Sequence, residues 1–288
     1  MRQPLFYGDF MTGIVDVGGG NRGAYGAGVF DRLMDENIKF DICIGVSAGS
    51  ANVISYTCSQ RGRNYRFYHD YAFRKEYMSL SNLFSKGEYI DLDYVYSVLS
   101  NSDGEDPLDF AAMSVYPGKS FFTVTDARTG KPLYFGSDTI SEDDYKIISA
   151  SCSIPIVCGP TELNGCMYFD GGLSDPVPYE KALSLGCDKL VVILTKPKDY
   201  RKSGKKEALM SKLIESKYPV ISKQTAVYPS LYNDQVDALL RLEAEGKCLI
   251  IAPDNTCGVG TVKKDKESID RLYRKGYEDA AAIREYLD

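Results

Sequence analysis

Residues 13–17, Gly-Ile-Val-Asp-Val, form a short and nearly continuous apolar run that ends on glycines, the pattern of a strand buried on both faces. Residues 24–36 then place Ala24, Ala27, Val29, Phe30, Leu33 and Met34 at helical spacing. A second apolar run, 40–44, stops at Gly45, and the small and apolar residues of 50–58 predict another helix. This succession of strand, glycine loop, helix, strand, tight turn and helix is the grammar of a parallel sheet with helices on its faces.

The pattern changes over 60–118, which is rich in tyrosine and phenylalanine and broken by turn signals, and reads as helices and loops. Residues 121–125 and 133–135 predict a strand pair around a turn at 127–131, and 143–151 predicts a helix. A short strand at 167–169 runs into Asp170-Gly171-Gly172; a helix follows at 179–185 and a clear buried strand at 189–194. The charged, lysine-rich stretch 196–217 reads as a solvated connector. A helix at 235–245, a strand at 248–252 and a terminal helix at 268–287 complete the expectation.

Composition narrows the function classes. A chain of 288 residues accommodates one large α/β domain or two small ones. The net charge of −6 argues against a nucleic-acid partner and against electrostatic anchoring on anionic lipid, while leaving transient peripheral membrane contact open. Cys43, Cys58, Cys152, Cys158, Cys166, Cys187, Cys248 and Cys257 form no C-x-x-C pair and read as buried free thiols. With one histidine in the chain, a zinc cluster is not expected. The first fifteen residues lack a basic stretch followed by an apolar one, and no run reaches the ~18 apolar residues of a membrane span, so a reducing cytoplasm is the expected compartment.

Two glycine loops carry the candidate chemistry. Gly45-Val46-Ser47-Ala48-Gly49 follows an apolar strand and opens a small-residue helix, the setting of a nucleophile elbow, where a strained serine needs small neighbours. Gly18-Gly19-Gly20-Asn21-Arg22-Gly23 also follows a strand and opens a helix, so the amides of Gly19 and Gly20 can face negative charge, and Arg22 can add a positive field. The same loop spells G-x-G-x-x-G, but a dinucleotide site needs an acidic residue at the end of the second strand, and that end is the serine turn. Asp170 is the best-placed carboxylate to serve Ser47 as base. His69, the rival base, sits in an aromatic helical stretch, and no histidine follows it as the hydrolase order of serine, acid and histidine requires.

The three motifs, in this order and with Gly26-Ala27-Gly28-Val29 on the helix behind, resemble the patatin-like phospholipase family. The resemblance implies an α/β fold of three layers, α/β/α, around a mainly parallel sheet. It implies a catalytic core at 12–180, with 181–288 an α/β extension packed on the same domain. It implies a serine acyl hydrolase with a Ser47–Asp170 dyad, an oxyanion hole from Gly18 to Gly23, Gly171 and Gly172 shaping the aspartate loop, and no metal or cofactor. The implied partner is an acyl lipid or ester. Two other readings remain open on the residues alone, a general carboxylesterase and a catalytically silent lipid-binding protein. Residues 65–80 could line an acyl pocket, form an interfacial lid, or simply fill the core.

Overall fold

The computed structural model describes residues 10–288; the first nine residues of the segment searched for a leader lie outside the described residues. The chain runs β1 (Thr12–Asp16), α1 (Ala24–Asp35), β2 (Ile42–Val46), α2 (Ala48–Thr57), α3 (Arg63–His69) and α4 (Leu80–Lys86). A π-helical turn (Tyr94–Leu99) and α5 (Phe110–Ser114) lead to β3 (Lys119–Asp126), β4 (Pro132–Gly136), α6 (Lys146–Ser151), β5 (Thr161–Leu163) and β6 (Cys166–Asp170). Then come α7 (Tyr179–Ser184), β7 (Lys189–Ile193), α8 (Lys205–Ile214), α9 (Pro219–Ala244), β8 (Cys248–Ile251), α10 (Lys266–Asp279) and α11 (Ala281–Leu287).

One sheet of order β5-β6-β3-β2-β1-β7-β8, with β4 also on β3, holds all the strands among the described residues. Its centre, from β3 through β2, β1 and β7 to β8, is parallel; β4, β5 and β6 join antiparallel. Successive side chains of the central strands alternate between two cores. Ile14, Cys43, Val191 and Ile193 pack with α1, α2, α10 and α11 on one face. Val15, Ile42, Ile44, Leu190 and Val192 pack with α7 and α9 on the other. Burial on both faces explains why these strands carry almost unbroken apolar runs. The result is a three-layer α/β/α fold around a mainly parallel sheet.

β1 pairs with β2 on one edge and β7 on the other, so the strand order reverses at β1. Such a reversal opens a crevice at the carboxyl ends of the strands, where open α/β sheets bind ligands. The glycine loop leaves β1 at that end.

Several elements depart from the pattern-based expectation. The connector 196–217 contains α8, whose Ile214 is buried while most of its lysines stay exposed. Helix α9 starts sixteen residues before 235 and carries Pro229 in its interior, a residue that argues against a helix until its face is packed. The terminal helix breaks at Ala280 into α10 and α11. β5, absent from the expectation, pairs with β6 across Asn164-Gly165, both with positive φ. The thiols are free, but Cys166 is exposed and Cys152 and Cys257 are half-buried, so burial holds for only part of the set.

Candidate active site

Sheet register brings the serine and aspartate loops together. Val46 at the end of β2 stands opposite Thr123 of β3, and Asp170 at the end of antiparallel β6 stands opposite the next residue, Val124. The two chains therefore arrive head-on at one point of β3. Ser47 and Asp170 follow from this at 7% and 6% exposure, side by side on the wall of one cavity, and the Ser47 hydroxyl lowers the pKa of the Asp170 carboxyl.

Ser47 has φ 56° and ψ −131°, a conformation that a side-chain-bearing residue holds only when its surroundings enforce it. The enforcing contacts are visible. The Ser47 amide donates to Ser151 Oγ at 3.0 Å, and the Ser151 hydroxyl donates to the Thr123 carbonyl at 2.7 Å. With that proton committed, the Ser50 hydroxyl is the donor in its 2.8 Å contact with Ser151 Oγ. Gly49 allows the turn to lie against β1, since a Cβ there would come within 2.1 Å of the Asp16 carbonyl oxygen. Gly45 and Val46 are the last residues of β2, and Ala48 is the first of α2.

Asp170 Oδ1 accepts the Gly172 amide at 2.8 Å, and its backbone is pinned by Ser153 O and Thr125 Oγ1. Burial pushes its carboxyl up to about 6, against the lowering effect of the Ser47 hydroxyl and the Gly172 amide. A carboxylate so raised is a better proton acceptor near neutrality than a solvated aspartate.

The glycine loop runs through Gly18, Gly19 and Gly20 at φ 62°, 122° and 62°, a left-handed succession open to glycine. Not every amide in it is free. Gly18 donates to Asp16 Oδ1 at 2.9 Å and Asn21 to the Thr261 carbonyl at 3.0 Å. This corrects the expectation that the whole 18–23 loop serves as an oxyanion hole, because a committed amide has no proton left for a ligand. Gly19 and Gly20, opening a 3-10 turn, have no protein acceptor among the described residues and line the cavity at Ser47. The Arg22 guanidinium borders the same cavity, and Gly23 packs under Tyr68.

Residues unremarked in the sequence hold this loop. Asp16 Oδ2 accepts Asn52 Nδ2 at 2.8 Å, and the same Nδ2 donates to the Gly23 carbonyl at 2.9 Å. Tyr68 donates to Asn52 Oδ1 at 3.1 Å. Fully buried, Asp16 has its carboxyl raised to about 6 by desolvation, less the bonds from Asn52 and Gly18. Thr195 Oγ1 donates to the Gly18 carbonyl from the end of β7. The contacts from Asn52, Tyr68 and Thr195 join segments well separated in the chain, so no local pattern announces them.

Two cavities meet at Ser47. One of about 60 Å3 is apolar and aromatic, bounded by Ala51, Phe67, Tyr68, Tyr77, Met78 and Tyr96. The 65–80 stretch thus supplies part of a wall beside the serine. The other, about 330 Å3, is bounded by Ser47, Asp170, the glycine loop, Lys196, Lys202, Lys206 and Tyr228. The lysine-rich stretch read as a solvated connector therefore contributes a wall of the site. His69 borders neither cavity; its Nδ1 meets Asp70 Oδ1 at 2.8 Å and its ring stacks on Tyr65 at 4.9 Å.

Comparison with known proteins agrees with this architecture. The model of the patatin-like phospholipase family matches residues 17–183, and that of a domain of unknown function, DUF6363, matches 218–287. The chain belongs to the patatin-like phospholipase family. It is 32% identical over 200 residues to the uncharacterized protein YjjU of Escherichia coli K12, a match covering 67% of this chain and 55% of YjjU. Among solved structures it is similar to VipD from Legionella pneumophila, at 13% identity and a TM-score of 0.46, over 96% of this chain and 67% of that one.

Proposed function

We propose that the protein is a serine acyl hydrolase that cleaves carboxylic esters of acyl lipids through a Ser47–Asp170 dyad. The observation that carries this is the enforced backbone of Ser47, which shares a cavity wall with a buried aspartate of raised pKa. Ser47 Oγ attacks the ester carbonyl carbon and its proton passes to Asp170. The Gly19 and Gly20 amides hold the oxyanion. The bond from carbonyl carbon to alcohol oxygen breaks, and the alcohol leaves with the proton from Asp170. Water then attacks the acyl-Ser47 ester, again losing its proton to Asp170, and the carboxylic acid departs as Ser47 regains its proton.

The apolar cavity receives the acyl chain and the larger one the alcohol. The extension 181–288 acts within the same unit, because β7 and Thr261 both reach the glycine loop. Contact with lipid is peripheral: among the described residues no helix is long and apolar enough to cross a membrane. The small apolar volume, about 60 Å3, favours as second reading a carboxylesterase for short soluble esters.

The test is labelling with a fluorophosphonate, mapped to Ser47, followed by an ester panel graded in chain length and head group. Turnover of dispersed acyl lipids supports the first reading and turnover of short esters alone the second. Absence of both labelling and turnover overturns the hydrolase reading.

A further inference from the structure

The larger cavity is bounded by four cations, Arg22, Lys196, Lys202 and Lys206. Of these four, only Lys202 has a carboxylate partner among the described residues, Glu207 Oε1 at 3.6 Å. The Nε of Arg22 is buried and has no hydrogen-bond partner, although its Nη1 reaches Thr261 Oγ1 at 3.0 Å. Burial, and then repulsion from Arg22, Lys202 and Lys206, lowers the pKa of Lys196; burial also lowers that of Lys202. Two carboxylates, Glu207 and Asp170, border the same cavity, so four cations face two acids and the excess positive charge is unfavourable unless an anion joins it.

Tyr200, Tyr228 and Tyr232 border the same cavity, and an aromatic wall raises the alternative of a quaternary ammonium head group. The protein's own ammonium groups already occupy those faces. Lys202 Nζ lies 4.4 Å from the Tyr228 centroid and 5.2 Å from that of Tyr232, and Lys196 Nζ lies 4.8 Å from that of Tyr200. A choline would find the rings taken and the neighbours repulsive.

We propose that Lys196, Lys202 and Lys206 form a phosphate subsite on the alcohol side of the scissile ester. The preferred substrate is then an acyl ester of a phosphorylated alcohol with an unsubstituted terminal phosphate. Three flexible ammonium groups suit the several oxygens of such a phosphate. This deepens the hydrolase reading and rests on it for the reaction, though not for the binding.

The experiment has a kinetic arm and a binding arm, both on the full chain. The first compares kcat/KM for 1-oleoyl-glycerol 3-phosphate, 1-oleoyl-glycerol and 1-oleoyl-glycero-3-phosphocholine. The second titrates 1-oleoyl-glycerol 3-phosphate into Ser47→Ala protein. A preference for the phosphate over the neutral ester of about tenfold or more is expected. Lys196→Gln/Lys206→Gln should remove most of that preference and weaken binding to the Ser47→Ala protein by about tenfold. Lys206 is exposed, so Lys206→Gln alone offers a variant free of folding effects, with a smaller change in the same direction. The 1-butyryl-glycerol 3-phosphate analogue separates the sources: the same preference at short chain length means a soluble phosphate ester suffices, and its restriction to oleoyl means a lipid. Equal kcat/KM for the phosphate and neutral esters, a preference for the choline ester, or binding indifferent to the lysines in folded protein would each overturn the subsite. Lysine-dependent binding without hydrolysis of any ester would keep the subsite and remove the hydrolase reading. Ester cleavage without a phosphate preference would do the reverse.

Discussion

Arg22 donates from Nη1 to the Thr261 hydroxyl at 3.0 Å, a bond between residues 239 positions apart, and the Thr261 carbonyl takes the amide of Asn21 next door. The glycine loop is thus held by a segment that follows the last strand of the sheet. Thr261→Val keeps the branched shape and removes the hydroxyl acceptor. An orphaned buried donor costs about 1–3 kcal/mol, so ester turnover should fall by about tenfold, with Thr261→Ser near wild type. Equal rates for Thr261→Val and wild type would show that the hydroxyl does not position the loop.

Ser47→Ala and Asp170→Asn should each lower turnover by about a thousandfold or more while leaving a folded protein. Asp170→Asn should also gain stability in a defined pH window. The carboxyl is raised from 3.8 to about 6 in the fold, so the stability it contributes is present below pH 3.8 and lost as pH rises through about 6. Asn lacks that ionisation, and its advantage above pH 6 reaches at most about 3 kcal/mol. Asp16 titrates in the same window in both proteins and cancels from the difference. Thermal melts at pH 8 and pH 4 test this: an advantage at pH 4 equal to that at pH 8 contradicts it.

The pH profile of kcat/KM should rise through about 6 as Asp170 loses its proton, then level off. An imidazole would titrate nearby, so the value alone does not name the group. His69→Ala removes the imidazole from the candidates, and it should keep both the rise and the rate within about threefold, since surface changes away from a site have small effects. A His69→Ala enzyme as inactive as Ser47→Ala would sink the dyad.

Ala51→Leu narrows the apolar cavity of about 60 Å3 beside the serine. The ratio of long-chain to short-chain ester turnover should fall, with the loss in KM and kcat/KM for long chains. An unchanged ratio places the acyl chain elsewhere.

The central strands were readable because burial on both faces leaves unbroken apolar runs, and the turns after them because glycine and serine stand where the backbone must fold sharply. What could not be read was tertiary. Lys202 sits in a charge-rich stretch that looks solvated, yet its side chain is only 14% exposed, covered by Tyr228 and Tyr232. Asp16 looks like one more strand residue until Asn52 and Gly18 close on it. The missed strand β5 differs, because Asn164-Gly165 is a hairpin signal that was present in the chain. Pro229 hid the first half of α9, since only the packed face of Ile221, Tyr232, Val236 and Leu239 outweighs a missing amide.

Because β1 has β7 as its neighbour, one edge of β1 stays open until the chain reaches Lys189, which stands opposite Thr12. During synthesis, the ribosome releases the glycine loop, the serine turn and Asp170 well before the strand and the threonine that hold the loop. Contacts of such sequence separation form late and slowly. A nascent or prematurely terminated chain therefore carries every signature residue without their geometry. Whatever esters surround it during translation, the proposed site closes only once Thr195 and Thr261 have been made and have docked on the glycine loop.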